Sequence, residues 1–118
     1  MSGIIDQSTD ARSKAIGQNF RVRAWVCFNG TTGGSNRTIN GSGNVSSVSY
    51  VEGGKYIVNY ADTLPDNNYT VVGMASDNLG LISTYSSTPG LAGCTIYSSN
   101  SSSGATANWG RVGVAMIG

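Results

Sequence analysis

The sequence contains no histidine. That removes the side chain that most often acts as a general base near neutral pH, and the commonest transition-metal ligand. Charge is scarce as well: 11% of the 118 residues are charged, and seven basic against six acidic side chains leave a net +1. A nucleic-acid binder needs a clustered basic face, which this balance does not provide. Cysteine is limited to Cys27 and Cys94, with no CxxC and no cluster suited to zinc. Two buried free thiols is the simpler reading; a disulfide requires their strands to be neighbours. No apolar run is long enough to span a bilayer, and Met1 to Asp10 has neither the basic start nor the apolar stretch of a secretory leader. The expectation is therefore synthesis in a cytoplasm, with no membrane and no nucleic-acid partner. Leu, Glu and Lys, the strong helix formers, are few.

What is abundant is glycine, at 17 residues, together with Ser, Asn and Thr. This is the composition of short strands joined by turns. With 39% hydrophobic residues the chain suffices for one domain with a modest core. The strongest strand is Phe20 to Asn29. Its alternation sets Val22, Ala24, Val26 and Phe28 on one face and Arg21, Arg23, Trp25, Cys27 and Asn29 on the other. The first face is core. The second is expected to leave a polar rim at the arginines and enter a region buried on both sides, with Trp25 inside it.

Residues 1–19 differ from the rest and form an expected N-terminal arm, with residues 20–118 as the β domain. The arm holds Asp6, Asp10, Arg12 and Lys14, and its large apolar side chains are Ile4, Ile5 and Ile16. Ser8 or Asp10 could cap a short helix through Ala15, closed by Gly17; a loosely ordered tail is the alternative. Further on, Arg37 to Asn40 reads as a short edge strand before Gly41-Ser42-Gly43. Val45 to Tyr50 and Lys55 to Tyr60 read as a hairpin closed at Gly53-Gly54, and Leu64-Pro65-Asp66-Asn67-Asn68 as a turn leading to a strand over Tyr69 to Ala75. Leu79 to Thr84, Gly93 to Ser98 and Arg111 to Ile117 complete the series, with Ser98 to Gly104 as a polar loop. Seven or eight short strands predict an all-β, single-domain antiparallel β-sandwich or barrel-like fold.

Candidate chemistry is sparse. Asp62 and Asp66 flank Leu64-Pro65, where carboxylates usually bond their own turn rather than act as an acid/base pair. Asp6, Asp10 and Asp77 lack calcium-loop spacing. Tyr85, Tyr97 and Trp109 lie near Asn- and Ser-rich stretches, a combination suited to stacking on a sugar ring while amides bond its hydroxyls. For Trp109 the plainer reading is core. No nucleophile, base and orienter can be assembled, so no enzyme, cofactor or metal site is expected.

Arg23 to Gly30, Gly43 to Val48, Gly54 to Tyr60 and Leu64 to Tyr69 together resemble a module of virion proteins from tailed bacteriophages of cyanobacteria and marine bacteria. The likeness covers residues 23 to about 75, in the same order and similar spacing. It departs at Cys27, where the module usually has Asn, and at Lys55, which replaces an acid. It implies a structural or adhesive role, commonly as a homotrimer in the virion. A small β-protein with an arm rather than a fibre shaft matches a capsid decoration (cement) protein. On that reading the partner is the phage's major capsid protein, and Ile4, Ile5, Arg12, Lys14 and Ile16 form the docking arm. The alternative is a tail-fibre or receptor-binding tip that uses Tyr85, Tyr97 and Trp109 on host glycan.

Overall fold

The computed structural model describes residues 21–76, 80–84 and 89–118. The expected arm, with Ile4, Ile5, Arg12, Lys14 and Ile16, lies outside the described residues, as do Asp77 and Tyr85. Eight strands run in the order β1 Val22–Asn29, β2 Thr38–Gly43, β3 Val45–Glu52, β4 Lys55–Tyr60, β5 Thr70–Ala75, β6 Gly80–Thr84, β7 Gly93–Asn100 and β8 Val112–Ile117. They form two antiparallel four-stranded sheets, sheet A in the order β2-β1-β8-β5 and sheet B in the order β3-β4-β7-β6. The fold is a β-sandwich, and no helix occurs among the described residues.

Period-two alternation builds the core between the sheets. Ala24, Val26 and Phe28 of β1 and Val112, Val114 and Met116 of β8 are buried from sheet A. Tyr56, Val58 and Tyr60 of β4 and Cys94 and Ile96 of β7 are buried from sheet B, in the same cluster. The buried tyrosines keep their hydroxyls partnered. Tyr60 donates to the Tyr69 hydroxyl at 2.8 Å, and Tyr69 donates to the Gly90 carbonyl at 2.7 Å. Burial raises the pKa of both phenols, so they remain neutral donors.

The chain crosses between sheets at Asn44, the single residue between β2 and β3, with φ 55. Asparagine tolerates this left-handed conformation, and its side chain secures the corner. Asn44 Nδ2 donates to the carbonyls of Arg23 and Asp62, each at 3.2 Å, and its Oδ1 accepts the Asp62 N–H at 2.8 Å. Asn44→Ala is expected to cost about 2 kcal/mol, combining the left-handed penalty with lost hydrogen bonds. The check is a lower urea midpoint at unchanged slope.

Two expected boundaries shift. β2 continues through Gly41-Ser42-Gly43 instead of stopping at Asn40, because the Trp25 ring lies over Gly41 and Gly43 and supplies the packing those glycines lack. β7 continues to Asn100, and Ser98, expected to open a loop, is fully buried. Burial is tolerated because the Ser98 hydroxyl donates to the Ala107 carbonyl at 2.6 Å and its N–H to Gly54 at 2.7 Å.

Candidate functional site

Antiparallel register aligns two rows across the outer face of sheet A. One runs Gly43, Trp25, Ala115, Val72, and the other Gly41, Cys27, Gly113, Met74. Small residues in the middle and on β2 keep the floor low, while bulky ones stand on either side. The result is a shallow trough of about 490 Å³ lined by Trp25, Cys27, Val72, Met74, Gly113 and Ala115, with Arg111 also in its wall. Trp25 is 43% exposed, Val72 45% and Met74 48%. The expectation that Trp25 sits in core, in a strand covered on both sides, is therefore corrected. No element of the described chain covers the outer face of sheet A, and the indole rests on β2 backbone: a Cβ at Gly41 would come within 3.3 Å of its Cη2.

The polar end of this face is built by Arg23, on the same side of β1 as Trp25. Its Nε donates to the Gly118 carbonyl at 2.6 Å and its Nη1 to Asp66 Oδ1 at 2.9 Å. Asp66 also accepts the Asn68 N–H at 2.9 Å, so this carboxylate forms its own turn, as expected for the Pro65 loop. The Asn68 N–H first, then Arg23, holds its pKa below the ordinary 3.8. A depressed carboxylate stabilises the fold above its unfolded pKa, and that contribution is lost as pH falls through the folded value. The stability difference between the parent chain and Asp66→Asn is thus expected to be present at neutral pH and to vanish at pH values well below about 4, measured by thermal melts across the acid range.

The outer face of sheet B is of another kind. Asn59 Nδ2 donates to the hydroxyls of Ser47 and Ser49, each at 3.0 Å. Thr95 and Tyr97 follow on β7, and the Lys55 ammonium lies 5.9 Å from the Tyr97 ring centroid. The sandwich therefore presents one apolar outer face and one that is largely polar, in which Ile57 and the half-exposed Leu81 are apolar members.

Of the residues singled out for glycan, Tyr97 lies on this polar outer face. Trp109 is half-buried, packed against the core, and its carbonyl accepts the Gly30 N–H at 2.9 Å. The structure does not place these two rings on one platform, and Tyr85 lies outside the described residues. The cysteines are free and sit in different sheets, Cys94 buried in the core. Cys27, expected to be buried, is only partly so because it opens into the trough. No group of three Cys, Asp or Glu side chains converges on a metal-sized site among the described residues.

Val72 and Met74 went unrecognised as site residues. Their signal was present in β5, where Val71-Val72-Gly73-Met74-Ala75 is apolar on both faces although only one can meet the core. Comparison with family models, with curated proteins and with solved structures finds no match to this chain.

Proposed function

We propose that the chain is a non-enzymatic virion structural protein, a capsid decoration (cement) protein that binds and stabilises the major capsid lattice as a homotrimer. The observation that carries the reading is the unlike pair of outer faces. An apolar sheet face with Trp25, Val72 and Met74 wet is the mark of a surface that another chain covers, while the hydroxyl- and amide-rich face suits solvent. The resemblance of residues 23 to about 75 to the phage module supplies the setting. A net charge of +1 gives isolated copies little mutual repulsion, which favours a subunit that works in an assembly. Stabilisation by such a protein comes from many modest contacts repeated in each copy of the oligomer, so avidity outweighs any one residue.

The test adds purified protein to tail-less capsids that lack it. Saturable binding with a rise in the temperature of capsid rupture is the expected result. Binding to host cells and not to capsids would transfer the protein to the tail-fibre reading, and hydrolysis of host polysaccharide would contradict both.

A further inference from the structure

The trough on sheet A has a specific chemistry. Two apolar walls, Trp25 on one side and Val72 with Met74 on the other, flank a floor of Gly113 and Ala115, and the cationic residue Arg111 is part of the lining. An extended peptide with two bulky apolar side chains followed by an acid would cover the walls and bring its carboxylate to the cation. The chain carries such a stretch before the sandwich, Ile4-Ile5-Asp6. β1 runs from Val22 toward Trp25 and Cys27, so its first residue marks the end of the strand farther from the trough. Fourteen residues lie between Asp6 and Arg21. They reach up to about 50 Å when extended, against roughly 20 Å for the length of a six-residue strand. That is enough to cross onto an adjacent subunit.

We propose that the trough of one copy takes the Ile4-Ile5-Asp6 stretch of a neighbouring copy, with the isoleucines against Trp25, Val72 and Met74 and the Asp6 carboxylate toward Arg111. Each subunit then gives one arm and receives one, a head-to-tail contact that closes into a ring such as a trimer. Ile4 and Ile5 so gain a partner other than the capsid expected from the sequence. The inference rests on the oligomer in the reading above but needs no capsid, and neither does its test, so the two can fail separately.

Cys27 lines the trough and reports its coverage, while buried Cys94 reports unfolding. In the full chain at high concentration, iodoacetamide is expected to label Cys27 about tenfold more slowly than in the Ile4→Ser/Ile5→Ser double variant, with the protection lost on dilution. Asp6→Arg should likewise expose Cys27, and adding Arg111→Asp to it should restore protection; this pair decides the matter if the double variant exposes Cys94. Equal Cys27 rates in all chains would overturn the proposal. So would protection that does not change with dilution, which would assign the arm to its own subunit.

Discussion

Replacing Phe28 by alanine is expected to lower stability by about 4 kcal/mol. The ring is fully buried near the C-terminal end of β1, and it meets Tyr56 edge-on, with centroids 5.0 Å apart and planes at 69°. Truncation removes both the transfer free energy of the ring and the aromatic contact, and close packing of the two sheets limits collapse around the void. Tyr56 is itself pinned, since its hydroxyl lies 2.7 Å from Asn108 Oδ1 and 3.0 Å from the Gly30 carbonyl and donates its one proton between these two acceptors, and it cannot move in to fill the space without losing them. Against a total of about 5–15 kcal/mol for an ordinary domain, the loss is a large fraction. A fall in melting temperature of about 15 °C should follow. Phe28→Leu, which retains most of the volume, should cost under about 1.5 kcal/mol. Equal losses for the two variants would show that the site is not a packed core position.

The second large effect separates two adjacent glycines. Gly54 has φ 75, and a Cβ there would lie 2.5 Å from the Ser98 carbonyl oxygen and 2.7 Å from the Ala107 nitrogen, both backbone atoms. Its N–H donates to Asn108 Oδ1 at 2.8 Å and its carbonyl accepts the Ser98 N–H at 2.7 Å, so the hairpin turn is sewn both to β7 and to the loop between β7 and β8. Gly54→Ala must both strain the backbone and push that loop away, for an expected loss of about 3 kcal/mol or more. At Gly53 a Cβ would meet nothing within 4 Å, and Gly53→Ala should stay within about 0.5 kcal/mol of the parent chain. Urea midpoints of the two variants provide the check, and similar values would contradict the local geometry described here.

The contrast also shows what could be read in advance. The doublet Gly53-Gly54 announces a hairpin turn, and the apolar alternations on either side place β3 and β4. Which glycine carries the positive φ depends on the loop packed above it, some fifty residues away in sequence. The inner face of β1 was legible from Ala24 to Phe28 for the same reason as β4 and β8, since alternation is a local property and burial follows it. Val22, expected in the core, is half exposed where the pairing with β8 shifts register. The outer face of β1 was not. Trp25 and Cys27 read as buried because they are apolar, but whether a face is covered depends on what lies over the sheet, and β1 alone carries no information about that. The trough needs Trp25, Val72, Met74 and Gly113 in register on three strands, and that register comes from β5 and β1 both pairing with β8. Cys27 and Cys94 lie in strands of similar appearance, yet one opens into the trough and the other into the core, because Cys27 falls between the buried Val26 and Phe28 on the outer face of β1 while Cys94 shares the inner face of β7 with Ile96.

The capsid-decoration reading is tested most directly by cryo-electron microscopy of the intact virion, with the density of this chain traced and its copies counted. The expected result is trimers at many symmetry-related positions on the capsid surface, with the outer face of sheet A covered. A few copies confined to the tail, with none on the capsid, would contradict it.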